Sequence, residues 1–282
     1  MRCFSHDGRQ LAYSAFGSGE RTTILLPGLL LSQRMQFPLA RSLAARGHRV
    51  VTLDLLGHGE SARPNDMTLY SMSQFATQVV ALMDHLELEE AVVGGTSLGA
   101  NVTLEVASLA GDRLRGMIVE MPVLDSALVA CAVAFTPMML AMTAGEPAMR
   151  LVQTAARLIP RRMAPDLLNV GLDTLRQDPA PSGAVLQGLF FGRIAPHRTE
   201  RRTLTAPALV IGHPRDPIHP FSDADCLARE LPNGRLLDAN SILELRLFPD
   251  RLTNEIGAFV DECWAEPVST ARPAARRRLA AS

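Results

Sequence analysis

The chain has 282 residues, of which 47% are hydrophobic and 20% charged, as is ordinary for a soluble globular protein. Its 28 basic residues nearly balance its 29 acidic ones, and the net charge of -1 indicates no nucleic-acid-binding surface. Every basic residue other than histidine is arginine, which excludes chemistry that needs a lysine amine, such as a Schiff base or a phosphate-binding-loop lysine.

The cysteines and the N-terminal segment indicate the compartment. The cysteines Cys3, Cys131, Cys226 and Cys263 are far apart and show no C-x-x-C spacing, which indicates a reducing compartment, no metal site and no disulfide framework. The first ten residues lack an apolar signal core, and no uninterrupted apolar run reaches membrane-spanning length. We therefore expect a cytoplasmic protein with no membrane partner.

Short apolar runs alternate along the chain with longer segments of helical period. This alternation predicts a mainly parallel sheet with helices on both faces. The predicted strands are residues 11–16, 22–28, 49–54, 91–95, 116–121, 207–212 and 235–239, and the predicted helices lie near residues 35–46, 73–88, 97–110, 222–231 and 249–263.

Residues 122–202 break this alternation, because they contain no convincing strand and are rich in Ala, Leu and Met. A helical insertion of this length between two strands is typical of a lid over the carboxyl edge of the sheet, where ligands bind in such folds. Methionines serve equally as core residues or as the lining of an adaptable apolar pocket. Both roles are open for Met138, Met139, Met142 and Met149.

The predicted organisation has three parts. Residues 1–121 and 203–264 form the core, and residues 122–202 form the helical lid. Residues 265–282 are rich in Ala, Pro and Arg without any period, which predicts a disordered C-terminal tail.

Residues 95–99 read Gly-Thr-Ser-Leu-Gly, which matches the pattern G-x-S-x-G. The segment follows a predicted strand and opens a predicted helix, the context in which this pattern indicates a nucleophile elbow. Glycine is needed two residues on either side of Ser97, because larger side chains would collide in so tight a turn.

Three further segments support a family resemblance. Residues 54–61 match D-x-x-G-x-G-x-S, Pro27-Gly28 follows a predicted strand, and residues 212–216 place Asp216 just past another. With the elbow, these features resemble the α/β-hydrolase superfamily over roughly residues 4–264. The resemblance implies an α/β fold, with a mostly parallel sheet of about eight strands, helices on both faces and a helical lid.

The resemblance also implies the roles of several residues. Ser97 would be the nucleophile and Asp216 the carboxylate that orients the base. The backbone N–H groups of Leu98 and Leu29 would form the oxyanion hole, although Pro27 stands where many members have a histidine. His58, within the second motif, is interpreted as structural.

The general base is missing from its usual position. Members of the superfamily place a histidine after the last strand, but here Asn240 and Ser241 stand there and no histidine follows His219. Neither an amide nor an unassisted hydroxyl can accept the serine proton at neutral pH. Three possibilities remain open: His219 as a relocated base, Glu244 as a buried carboxylate base, and a site with no competent base.

The leading hypothesis is a cofactor-free serine hydrolase of an apolar ester, thioester or lactone, without a metal, whose partner is a small apolar substrate. The rival hypothesis is a non-hydrolytic protein of the same fold that binds a small molecule, or that cyclises or isomerises a biosynthetic intermediate. The missing histidine is the feature that favours the rival.

Overall fold

One eight-stranded sheet organises the computed structural model, which describes residues 1–160 and 166–265. The strands lie in the order β1-β2-β4-β3-β5-β6-β7-β8. Their bounds are β1 Arg2–His6, β2 Arg9–Phe16, β3 Thr22–Leu26, β4 Arg49–Leu53, β5 Ala91–Thr96, β6 Leu114–Glu120, β7 Ala208–Gly212 and β8 Gly234–Asp238.

The sheet is mostly parallel, as the sequence predicted. Only β1 with β2 and β2 with β4 pair in antiparallel fashion, and β3 to β8 all run in one direction. Their carboxyl ends therefore meet at one edge of the sheet. The strand that the sequence pattern did not locate is β1, because Phe4 is its only buried residue and it contains no apolar run.

Helices cover both faces of the sheet. Helices α1 (Phe37–Ala45) and α11 (Asp250–Ala265) contact each other and pack on one face. Helices α2 (Met72–His85), α3 (Leu98–Ala110) and α9 (Phe221–Glu230) contribute to the core on the other face. Two separate apolar cores result, one on each side of the sheet.

The long insertion between β6 and β7 is helical, and its described residues contain no strand. Helix α4 contacts both α5 and α7, and α5 contacts α6. The short helix α10, Glu244–Leu247, follows β8. The helices of the insertion are α4 Leu128–Thr143, α5 Glu146–Leu158, α6 Asp166–Leu175, α7 Pro179–Phe190 and α8 Arg198–Arg201.

Two further expectations concerned a disordered C-terminal tail and the absence of an apolar run of membrane-spanning length. The predicted tail lies almost wholly outside the described residues, and its first residue, Ala265, ends helix α11. Asp125–Thr143 is, in the described part of the chain, a helical segment long and apolar enough to cross a membrane by length and composition alone. No segment of that kind was expected from the sequence.

Asp223 of α9 anchors the start of the insertion to the core. Its buried carboxylate accepts hydrogen bonds from the backbone N–H groups of Leu124 (2.8 Å), Ser126 (3.1 Å) and Ala127 (3.1 Å). Since both oxygens are used, one side chain satisfies three backbone donors at the point where α4 begins.

We expect Asp223→Asn to destabilise the protein by about 1–3 kcal/mol, because an amide nitrogen cannot accept a hydrogen bond from a buried backbone N–H group. Urea unfolding measures the loss, and hydrogen exchange at residues 124–127 should accelerate. Asp225→Asn on the same helix is the control, since Asp225 only pairs with Arg229 one turn away. Equal stability of the two variants would contradict the anchoring role.

Candidate active site

Ser97 lies at the junction of β5 and α3 in a strained backbone conformation. Its φ is 54° and its ψ is -110°, a region that residues other than glycine rarely occupy. The Ser97 N–H donates to the Glu120 carbonyl at the end of β6, 2.8 Å away. This turn lifts the hydroxyl above the carboxyl edge of the sheet, as expected for a nucleophile elbow.

The two glycines of the motif are required by close approach. A Cβ atom at Gly95 would lie 2.5 Å from the carbonyl carbon of Gly99. A Cβ atom at Gly99 would lie 2.7 Å from the carbonyl oxygens of both Leu26 and Pro27. The strand ends and the first turn of α3 are therefore packed backbone against backbone around Ser97.

The structure brings Ser97, His219 and Asp216 together. The distance from Ser97 Oγ to His219 Nε2 is 2.8 Å, and His219 Nδ1 lies 2.9 Å from Asp216 Oδ2. Asp216 Oδ1 accepts hydrogen bonds from the backbone N–H groups of Ile218 (2.8 Å) and His219 (3.0 Å). One loop after β7 thus supplies both the carboxylate and the imidazole, because the turn it forms around Asp216 directs His219 back over that carboxylate.

The charge of Asp216 determines the histidine tautomer. Burial raises the pKa of this carboxyl, but hydrogen bonds from the His219 ring and from the two backbone N–H groups outweigh burial and lower the pKa to about 2. The ionised carboxylate can only accept, so His219 Nδ1 carries the proton and Nε2 is left as an acceptor. In this tautomer the Ser97 hydroxyl donates to Nε2.

The other residues considered for the base lie elsewhere. Asn240 bonds to Glu244 through both its backbone N–H and its side-chain amide, and the ring that contacts Asp216 is that of His219. The Ser241 carbonyl accepts from His213 Nδ1 at 2.9 Å. Glu244 is held by Arg251, whose hydrogen bonds lower the pKa of the Glu244 carboxyl, so Glu244 is a poor proton acceptor.

Leu29 and Leu98, the predicted oxyanion-hole residues, both line the cavity that contains Ser97. Leu98 is the first residue of α3, where backbone N–H groups have no partner within the helix. Leu29 follows Gly28 in a turn closed by a 3.1 Å hydrogen bond from the Leu31 N–H to the Gly28 carbonyl. The predicted donors therefore lie on the first turn of α3 and in the turn after β3, and both residues line the cavity that contains Ser97.

The cavity has a volume of about 230 Å³ and lies between the carboxyl edge of the sheet and the helical insertion. Met139 lines it, whereas Met142 is buried in the core, so these two methionines of the insertion take the two roles that the sequence left open. None of the described lining residues is charged. They are Leu29, Met72, Ser97, Leu98, Asn101, Val123, Leu128, Cys131, Ala132, Phe135, Met139, Leu186, Leu189, Phe190 and Ile194.

The polar side chains of the cavity besides Ser97 offer little to a charged ligand. The Asn101 amide donates to the carbonyls of Val123 (2.7 Å) and Ile194 (2.8 Å) and accepts from the Val123 N–H (3.0 Å). Burial raises the pKa of the Cys131 thiol to about 11, so the thiol is neutral. Asn101 was not identified from the sequence, although its position one helical turn after Ser97 places it on the same side of α3 as the predicted nucleophile.

A buried polar cluster that sequence reasoning also missed lies beneath the elbow. Glu120 accepts from the Thr96 hydroxyl and from Arg246 Nη2 (2.9 Å), and its other oxygen is 3.3 Å from His213 Nε2. Arg246 also donates to Thr96 Oγ1 at 2.9 Å. Burial raises the pKa of Glu120, but Arg246, His213 and Thr96 outweigh it and lower the pKa to about 2. The cluster ties the residue before Ser97 to helix α10.

In the D-x-x-G-x-G-x-S segment, the side chains of Asp54 and His58 contact backbone groups of the protein. The buried Asp54 carboxylate accepts from the Gln33 N–H (2.6 Å) and the Glu60 N–H (3.0 Å). Burial lowers the pKa of His58 to about 4, and its Nδ1 lies 3.0 Å from the Leu56 carbonyl.

Among residues 1–160 and 166–265, no group of three or more His, Cys, Asp or Glu side chains is placed to hold a metal ion.

Comparison with known proteins identifies relatives that share this architecture. A family model described as alpha/beta hydrolase fold matches residues 23–240. The chain is 27% identical over 236 residues to the AB hydrolase superfamily protein YisY of Bacillus subtilis (strain 168), covering 78% of this chain and 84% of that protein.

Two further similarities concern a short segment of the sequence and the fold, respectively. Over 76 residues the chain is 41% identical to the dihydrolipoyllysine-residue acetyltransferase component of the acetoin cleaving system of Pseudomonas putida, covering 27% of this chain and about a fifth (20%) of that relative. The enol-lactonase from Burkholderia xenovorans LB400 superposes with a TM-score of 0.74 at 20% identity, covering 92% of this chain and 100% of that one. At this identity the likeness concerns the fold.

The Glu120 cluster makes stability depend on pH. Because the Glu120 pKa is about 2 in the folded protein against an ordinary 4.5, its contribution is present above about pH 5 and is lost as pH falls toward 2. We expect this loss, up to about 3 kcal/mol, to be absent in Glu120→Gln, which cannot titrate. Urea unfolding across this pH range measures it.

Glu255→Gln on α11 is the control, because Glu255 is exposed and lies outside the Glu120 cluster. Parallel pH profiles for the wild type and Glu120→Gln would show that the ionised Glu120 does not stabilise the fold.

Proposed function

Because the chain belongs to the α/β-hydrolase fold family, we propose that it is a cofactor-free serine hydrolase that cleaves an apolar ester, thioester or lactone. Ser97 is the nucleophile, His219 the general base and Asp216 the orienting carboxylate. The backbone N–H groups of Leu29 and Leu98 stabilise the oxyanion.

The observation that carries this proposal is the chain of contacts from Ser97 Oγ to His219 Nε2 (2.8 Å) and from His219 Nδ1 to Asp216 Oδ2 (2.9 Å). A nucleophile within hydrogen-bond reach of a base that is itself oriented by a third group is the signature of an activated serine. This geometry supports His219 as the base over a site with no competent base. It also supports His219 over Glu244, because Glu244 is engaged by Arg251.

In the acylation step, Ser97 Oγ attacks the carbonyl carbon of the substrate while its proton moves to His219 Nε2. The ionised Asp216 stabilises the resulting imidazolium and holds its ring in place. The carbonyl oxygen becomes an oxyanion, which the two backbone N–H groups stabilise. Collapse of this intermediate breaks the bond to the leaving group, which takes the proton from Nε2.

In the deacylation step, water replaces the leaving group. His219 Nε2 accepts a proton from the water as its oxygen attacks the acyl carbon on Ser97 Oγ. Collapse of the second tetrahedral intermediate returns that proton to Ser97 Oγ and releases the carboxylic acid. The same three side chains therefore serve both halves of the reaction.

The chemistry of the cavity supports an uncharged acyl group as substrate. No described lining residue carries a charge, both N–H donors of the Asn101 amide already bond to backbone carbonyls, and the Cys131 thiol is neutral. A carboxylate placed there would lose its hydration without gaining a partner. An aliphatic acyl chain would instead contact side chains such as Phe135 and Leu189.

Ser97→Ala and His219→Ala should each lower kcat/KM for p-nitrophenyl butyrate by about 10³-fold or more, and the double variant should fall no further, because the residues act as one unit. A fluorophosphonate probe should label the wild type at Ser97 and label His219→Ala only weakly. His197→Ala, which changes an exposed histidine outside the cavity, is the control.

Equal activity in the wild type and His219→Ala would contradict the role of His219. A wild-type protein that neither turns over esters nor takes up the probe would favour a small-molecule binding protein of the same fold instead.

Substrate charge can be tested with a matched pair of esters. The p-nitrophenyl ester of hexanoic acid and the mono-p-nitrophenyl ester of adipic acid have acyl chains of equal length, and only the second ends in a carboxylate. We expect kcat/KM to be about 100-fold lower for the charged ester, because its carboxylate would be buried without a partner. A preference for the charged ester would refute the apolar acyl subsite.

A further inference from the structure

Helix α4 is apolar on all sides, yet only one of its residues, Met142, is fully buried. A stretch of 18 residues within Asp125–Thr143 has a mean hydropathy of 1.8, and only 11% of this stretch is buried. Its inner side lines the cavity through Phe135 and Met139, while on its outer side Val129 is 76% and Val133 71% exposed. A helix that is hydrophobic all round is normally covered by a protein core or by lipid.

Helix α5 contacts α4 and reverses the usual pattern of an amphipathic helix, because it exposes large apolar side chains and buries a polar one. Its stripe of Leu151 and Leu158 faces solvent, with 73% and 79% of these residues exposed. Its buried positions are instead Gln153, which donates to the Arg176 carbonyl, and Ala156. We call the exposed sides of α4 and α5, marked by Val129, Val133, Leu140, Leu151, Val152 and Leu158, the outer apolar face.

Exposed apolar side chains are concentrated in this part of the molecule. Of the nineteen large hydrophobic residues that are exposed in the described part of the chain, twelve lie between Leu128 and Phe191. Single exposed apolar residues are ordinary on a soluble protein, but a concentration of them marks an interaction surface.

The charge of the insertion distinguishes between possible partners. Residues 122–202 contain nine arginines and six acidic residues, a net charge of +3, whereas the whole chain has a net charge of -1. Helix α5 itself carries Glu146, Arg150 and Arg157, a net charge of +1. Arg150 pairs with Glu146 (2.7 Å), and Arg157 donates to the Arg176 carbonyl (3.1 Å). A symmetric dimer through this face would oppose two positive surfaces, whereas an anionic lipid surface would attract one.

We propose that the outer apolar face docks on an anionic lipid bilayer, with α4 and α5 lying in the plane of the interface. An amphipathic helix with arginines beside its apolar stripe binds membranes in this manner. The helix α4 does not cross the bilayer, because its inner side forms the wall of the cavity. This surface departs from the expectation, drawn from sequence, of no membrane partner.

The test is co-sedimentation of the full chain with vesicles of phosphatidylcholine, with and without phosphatidylserine. The wild type should bind the vesicles that contain phosphatidylserine, bind phosphatidylcholine alone at least about tenfold more weakly, and lose binding as salt screens the attraction. Val133→Gln/Leu151→Gln, which leaves the charge unchanged, should lower the partition coefficient at least about tenfold.

Two controls separate this face from other sources of binding. Leu109→Gln removes an exposed leucine from α3, outside the insertion, and should bind as the wild type does. Replacing Arg276, Arg277 and Arg278 with glutamine should also leave binding intact, since the tail is not the proposed surface.

Three results would overturn the proposal: no vesicle binding by the wild type, equal binding to both vesicle compositions, or a dimer in size-exclusion chromatography that Val133→Gln/Leu151→Gln dissociates while vesicle binding is unchanged. Ser97→Ala should bind vesicles as the wild type does, because docking does not depend on the proposed hydrolysis.

Discussion

The backbone at Ser97 is the constraint on which the rest of the site depends. A serine at a φ of 54° stores strain that only a well-supported turn can hold. The support comes from the close approach of Gly95 and Gly99 and from the hydrogen bond between the Ser97 N–H and the Glu120 carbonyl. The hydroxyl is thereby raised above the sheet edge, where the loops after β3 and β7 and the insertion can reach it.

The proposed base occupies the same loop as its orienting carboxylate, which changes what the loop after β8 does. Asp216 uses one oxygen to fix the backbone of Ile218 and His219 and the other to hold the imidazole, so a separation of three residues is sufficient. The segment after β8 then contributes Arg246 to the buried cluster with Glu120 and Thr96. That segment therefore contacts Thr96, the residue before Ser97, through Arg246. It contributes no side chain to proton transfer in the proposed mechanism.

The two sides of α4 link the cavity to the molecular surface. Its inner residues give the cavity an uncharged wall, which suits an aliphatic acyl group, and its outer residues leave a continuous apolar helix exposed beside arginines. An apolar ester is sparingly soluble in water and partitions into lipid. Docking of the outer apolar face would therefore bring the cavity close to the phase where such a substrate is most concentrated, a link that rests on both proposals.

The sequence by itself determined the alternation of strands and helices, and hence the fold, because apolar periodicity and turn residues are local properties. It also pointed to Ser97 and Asp216 as candidate site residues, since both lie in short motifs at the ends of strands. It missed β1, whose only buried residue is Phe4. The contact that favours His219 over Glu244 or no base in the proposed mechanism is tertiary, because its 2.8 Å distance joins residues 122 positions apart. The roles of Asn101, Glu120 and Arg246 depend equally on distant partners. The exposure of α4 was also a tertiary outcome, since its composition fits a buried helix as well as a lipid-facing one, and only the packing of its neighbours leaves the outer side uncovered.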